Sequence, residues 1–174
     1  AIPNFHVVRP ADANETAACW LEILKRNKPV GILLSRQALP TLPSNPSGVA
    51  KGAYAVKAVA NPKVSIIATG SEVSVAMKAA EKLEAEGIST QVVSAPCLEW
   101  FAEQDGAYRE SLLPKSAIKV SIEAGIAQGW REYVGDNGVI ISLDHFGASA
   151  AAGKLFEEFG FGPDAVVAKI KAAL

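Results

Sequence analysis

Residues 4–9 (Asn4-Phe5-His6-Val7-Val8-Arg9) predict a short strand, stopped by Pro10. Asp12 then stands three positions before Glu15, the spacing of a capping box with Asp in the Ser/Thr role. The helix that follows runs to about Lys25, with Ala17, Trp20, Leu21 and Leu24 on one face. Lys25 and Arg26 lie where the helix dipole favours cations, and Pro29 marks the exit. Residues 30–35 are an apolar run of strand length, predicted to be buried on both faces. Strand, helix and strand make one βαβ unit, too little for a free-standing sheet, so it reads as part of something larger.

The pattern breaks at Pro40-Thr41-Leu42-Pro43-Ser44-Asn45-Pro46-Ser47-Gly48, whose three prolines with Ser, Asn and Gly mark an interdomain linker. It then restarts. Residues 64–68 predict a strand, and Thr69-Gly70-Ser71 turns into a helix capped by Ser71. Val73, Ala76, Met77, Ala80 and Leu83 recur at helical spacing until Gly87 ends the helix. Residues 91–95, 118–122 and 139–143 predict further strands, and 150–159 and 164–173 closing helices, with Pro163 at a helix start. Strands alternating with helices predict a three-layer α/β/α domain with a mostly parallel sheet, preceded by the βαβ remnant of another α/β domain.

Composition narrows the function classes. Across 174 residues, 49% hydrophobic and 20% charged describes a globular chain. A formal net charge of −1 offers no field for nucleic acid or an anionic membrane. No apolar run approaches the roughly 20 residues that span a bilayer. Cys19 and Cys97 make neither a disulfide framework nor a four-ligand zinc site, which fits a reducing, cytoplasmic setting. The opening Ala1-Ile2-Pro3-Asn4 has no Met and no signal-peptide pattern, and reads as the middle of a longer chain or a processed product.

Arg36 is the most informative single residue, because it follows the predicted strand 30–35 and ligands of open α/β sheets sit beyond strand carboxyl ends. Its planar fork suits a phosphate or carboxylate; a surface or interface salt bridge is the other reading. The turn Thr69-Gly70-Ser71-Glu72 offers a helix N-terminus to an anion but lacks dinucleotide glycine spacing, and a plain helix start explains it more simply. Gly147 to Gly153-Lys154 fails as a P-loop, with five residues between glycines and Leu155 where Ser or Thr is required. Gly135-Asp136-Asn137-Gly138 reads as a turn. His6 and His145 have no metal-ligand neighbours at useful spacing, Glu123 ends a strand without a visible partner, and Cys97 reads as a packed thiol. Residue chemistry alone stops at an α/β domain with an anion contact at Arg36 as its leading candidate.

Several segments together resemble the transketolase family: Val8-Arg9-Pro10-Ala11-Asp12-Ala13-Asn14-Glu15, Leu34-Ser35-Arg36-Gln37-Ala38-Leu39-Pro40, Lys51-Gly52-Ala53-Tyr54 and Val59-Ala60-Asn61-Pro62. Ala68-Thr69-Gly70-Ser71-Glu72-Val73, Asp144-His145-Phe146-Gly147-Ala148-Ser149 and Phe159-Gly160-Phe161 continue the resemblance in the same order. It implies that residues 1–45 are the end of a pyrimidine-binding domain and 50–174 a C-terminal domain. The complete enzyme would transfer a two-carbon ketol unit from a ketose phosphate to an aldose phosphate in the pentose phosphate pathway. It would use thiamine diphosphate and Mg²⁺ or Ca²⁺ and work as a homodimer.

The same resemblance implies that the catalytic, metal and cofactor-binding residues lie upstream, so none is assigned here and no cofactor is expected on this piece alone. Only Arg36 carries over, as the arginine that binds the sugar-phosphate group. His145 stands where many relatives have Arg, either as tolerance at a structural position or as an altered crevice. Two alternatives accompany this reading. One is a non-catalytic dimerisation or regulatory module, with which the mean hydropathy of +0.19 is compatible. The other is the same region of dihydroxyacetone synthase.

Overall fold

The computed structural model of the chain describes residues 2–43 and 46–174. Ser44 and Asn45, in the Pro-rich stretch, and Ala1 lie outside the described residues. The first segment is β1 (His6–Val8), α1 (Ala13–Arg26) and β2 (Val30–Ile32), with β1 and β2 paired in parallel, Val7 opposite Gly31. Asp12 caps α1 as its spacing predicts, its Oδ1 accepting from the Glu15 N–H at 2.8 Å. The reciprocal arm shifts by one residue: the Glu15 carboxylate accepts from the N–H of Ala11 rather than that of Asp12. Asn27, at φ 47°, closes the helix.

Two expectations for this segment fail together. Strand β2 is only three residues long and half-buried, and Leu33 and Leu34 beyond it are 51% and 58% exposed, not buried on two faces. On α1 the side chains turned inward are Glu15 and Cys19, whereas Trp20, Leu21 and Leu24 are 50%, 62% and 71% exposed. The sequence pattern is that of a helix and strand with neighbours on both sides, and only one side is covered here. A two-stranded sheet has no second layer to give it.

After a 3-10 turn (Pro46–Lys51) the larger sheet is built from β3 (Tyr54–Lys57), β4 (Val64–Ala68), β5 (Thr90–Ser94), β6 (Ile118–Ile122) and β7 (Val139–Ile141). Its spatial order is β3-β5-β4-β6-β7, parallel except for the antiparallel edge strand β3. Strands β4 and β5 are buried at every residue, as a sheet covered on both sides requires, although β5 carries the polar Thr90, Gln91 and Ser94. Ile66 joins the core formed with α2 (Glu72–Ala85) and α7 (Pro163–Lys171), while its neighbour Ile67 faces α3 (Leu98–Ala102), α4 (Gly106–Leu112) and α5 (Trp130–Val134). The period of two thus separates two helix layers. The short helix α6 (Ala152–Glu158) adds Phe156 to the α2 side. Gly87, at φ +78°, follows α2 as expected, but Ser71 makes no side-chain cap bond.

Candidate functional site

From β4 the chain goes through α2 to β5 on one side, then crosses to β6 on the other. The order therefore reverses between β4 and β6, and the crevice beyond their carboxyl ends is where this architecture receives ligands. Here it receives the chain's own Arg9, the residue following β1. The Arg9 guanidinium is ion-paired with Glu123 just past β6 and lies 3.7 Å from Glu72 in the first turn of α2. Its backbone is held as well: the N–H donates to the Pro96 carbonyl at 2.8 Å, and the carbonyl accepts from the Gly70 N–H at 3.1 Å. Thr69 Oγ1 donates to the second oxygen of Glu123, and the Ala124 N–H donates to Glu72 at 3.3 Å.

This geometry agrees with the plain helix start rather than an anion site at Thr69-Gly70-Ser71. The Gly70 N–H donates to the Arg9 carbonyl, and two carboxylates face the crevice. Burial pushes the Glu72 carboxyl above its ordinary range, opposed by the Arg9 charge and by bonds from Ala124 and Ser71. Glu123, without a visible partner in the sequence, has two. The sequence pattern puts Arg9 inside the predicted strand 4–9; because β1 ends at Val8, Arg9 directly follows a strand of a parallel pair. Beside this cluster is a cavity of about 230 Å³ lined by Val7, Arg9, Thr69, Glu123, Ile126 and Trp130.

Arg36 lies four residues past β2, exposed, with no hydrogen bond or ion pair to another described residue. The salt-bridge reading of Arg36 is therefore not met within this chain. The segment carrying it begins where the Leu33 N–H donates to the Val8 carbonyl at 2.8 Å, and ends where the Leu42 N–H donates to Asp12 Oδ2 at 2.7 Å. Gln37, Leu39 and Pro40 line a cavity of about 360 Å³ against Ser74 and Lys78 of α2 and Phe156.

A second cluster joins the first segment to the larger domain. Trp100 Nε1–H donates to His6 Nδ1 at 2.8 Å, and the Arg26 guanidinium lies 4.4 Å over the Trp100 ring. Arg26 also donates to Glu103 at 2.7 Å and to the Ala50 carbonyl at 2.8 Å, and holds the Glu103 carboxyl below its usual range. Ser94 Oγ donates to Glu15 at 2.6 Å across the same boundary. Cys19 and Cys97 are buried here, and burial pushes both thiols upward, away from nucleophilic chemistry. His145 is exposed, with Nδ1 2.7 Å from the Phe146 carbonyl oxygen and its ring edge-on to Phe159. Among the described residues no three His, Cys, Asp or Glu side chains come together to hold a metal ion, and no helix is long and apolar enough to cross a membrane.

Residues 1–41 match the family described as the transketolase pyrimidine-binding domain, and residues 52–162 the transketolase-like TK C-terminal domain. The transketolase of Mycobacterium leprae is 48% identical over all of this chain and 26% of its own length. The crystal structure of a Pichia stipitis transketolase complex with sedoheptulose 7-phosphate superposes with a TM-score of 0.92 at 36% identity, covering 99% of this chain and 25% of that one. A structure described as a split gene transketolase, inactive β4 tetramer, has a TM-score of 0.82 at 25% identity, covering all of this chain and 59% of its own. This chain therefore spans about a quarter of the length of the curated relatives it matches. Sequence and fold agree across both segments: the chain belongs to the transketolase family.

Proposed function

We propose that the chain is the C-terminal part of a cytoplasmic transketolase whose complete form moves a two-carbon ketol unit from a ketose phosphate to an aldose phosphate. Residues 1–45 would end the pyrimidine-binding domain and 50–174 would be the C-terminal domain. The observation that carries this reading is the open apolar side of the first segment, where Trp20, Leu21, Leu24, Leu33 and Leu34 are half or more exposed. Such a surface calls for a covering partner. The rest of that domain, and the second subunit of a homodimer, supply it.

Arg36 is the residue of this chain that meets substrate. Its unpaired fork donates two parallel hydrogen bonds to a phosphate, and this remote contact orients the ketose or aldose at the reacting centre. Thiamine diphosphate is supported by the name of the domain matched by residues 1–41. Its Mg²⁺ or Ca²⁺ would take a set of oxygen ligands, which the family resemblance places, with the diphosphate site, in other parts of the full-length protein. The chain alone is inactive, in keeping with the split-gene relative described as an inactive tetramer.

The test of Arg36 uses the full-length protein. Arg36→Ala should lower kcat/KM for a ketose phosphate by about 100-fold, while a non-phosphorylated analogue is barely affected. Arg36→Lys should fall between, keeping the charge but not the fork. Equal loss on both substrates contradicts the assignment. Donor and acceptor assays of the same protein separate ketol transfer to sugar phosphates from the dihydroxyacetone synthase reaction.

A further inference from the structure

We infer that the loop joining β1 to α1 is a clamp that orients Arg36, with Asp12 as the positioning residue; this rests on the reading of Arg36 as the phosphate-binding group. Residues 34–41 make no hydrogen bond or ion pair among the described residues, so the segment's hydrogen-bonded anchors are at its two ends. One end goes to the last residue of β1 and the other to the loop that follows it. The Val8 carbonyl accepts from Leu33, and Asp12 Oδ2 accepts from Leu42 at 2.7 Å. Leu42 is itself packed into the main core.

The clamp is fixed in its turn. Arg9, three residues before Asp12, is fastened to Pro96 and Gly70 through its backbone and to Glu123 and Glu72 through its guanidinium. A carboxylate at position 12 is the side chain that serves both duties. Oδ1 caps α1 by accepting from Glu15, while Oδ2 takes the Leu42 N–H, and both lie in the field of a helix N-terminus. Asn offers one acceptor to two donors. Ser keeps the cap but is too short to reach Leu42. An unpartnered arginine on a segment pinned at two points binds phosphate without first ordering a loop, which is the value of preorganisation.

The experiment compares Asp12→Ser with Arg36→Ala in the full-length protein. The readout is the ratio of kcat/KM for a ketose phosphate to that for its non-phosphorylated analogue, measured alongside thermal unfolding. Asp12→Ser should lower that ratio about tenfold with the helix cap retained. The double variant should fall no further than Arg36→Ala alone, because the two residues act through one contact. A ratio unchanged in Asp12→Ser but collapsed in Arg36→Ala overturns the clamp and leaves the phosphate reading standing. A ratio unchanged in Arg36→Ala overturns the phosphate reading itself. If Asp12→Ser does not accumulate folded, the isosteric Asp12→Asn is read by the same ratio, with the same outcomes.

Discussion

The indole N–H of Trp100 donates to Nδ1 of His6 at 2.8 Å, joining the first strand of the chain to the first helix after β5. Indole is a donor only, so His6 accepts at Nδ1 and carries its proton on Nε2. Trp100 is fully buried in a cluster with Val8, Cys19 and Cys97, and the Arg26 guanidinium lies over its face. Trp100→Phe keeps a ring for Arg26 but removes the donor and leaves a gap. It should cost about 2–3 kcal/mol in urea unfolding of the chain. A loss under 0.5 kcal/mol would mean that the pair does not hold the boundary.

Arg9 and Glu123 offer a second test of the same boundary. Arg9→Met leaves Glu72 and Glu123 buried without their cation and should destabilise by about 3 kcal/mol. Adding Glu123→Gln to Arg9→Met should recover part of that loss, because one uncompensated charge is gone. Simple additivity in the double-mutant cycle would contradict the pairing.

Glu15 gives the pH dependence. It is 1% exposed, and burial raises its carboxyl, partly offset by Ser94, Ala11 and Tyr54. A raised value means that the folded state holds the proton more tightly than the unfolded chain. Its stabilising contribution is therefore full below the ordinary carboxylate range and is lost as pH rises through the folded value. Glu15→Gln can donate to Ser94 Oγ and accept from Ala11 N–H without a charge. The variant should match or exceed the parent in Tm at pH 8, with the advantage shrinking toward pH 4. A variant less stable at pH 8 than at pH 4, relative to the parent, would contradict this. Glu103, lowered by Arg26, works oppositely and loses its contribution on acidification.

The open face of α1 makes opposite predictions in two contexts. In the chain alone, Leu21→Lys with Leu24→Lys removes exposed apolar surface and should leave Tm within about 1 °C while reducing self-association in sedimentation. In the full-length protein the same pair should lower stability by several kcal/mol, because those leucines are then core. Harmless substitution in both would contradict a covered face.

The larger domain was legible because its signals are local. Strands 64–68 and 118–122 coincide with β4 and β6, and the α2 stripe faces the core as its spacing requires. The antiparallel edge β3 and helices α3, α4 and α5 were not read, being short pieces without a full amphipathic period. At the site, Arg36 was singled out by its place after a strand. The Arg9–Glu72–Glu123 cluster was missed because its members lie far apart in the chain and meet only where β4 and β6 end. Residues 30–35 were misjudged for a different reason. Their apolar pattern matches a doubly covered strand, but β2 stops after three half-buried residues and Leu33 and Leu34 beyond it are exposed.

The most direct measurement is ketol transfer by the purified chain and by the full-length protein side by side, with thiamine diphosphate, Mg²⁺, a ketose phosphate and an aldose phosphate. The account predicts turnover by the full-length protein and none by the chain alone. Robust turnover by the 174-residue chain would contradict it.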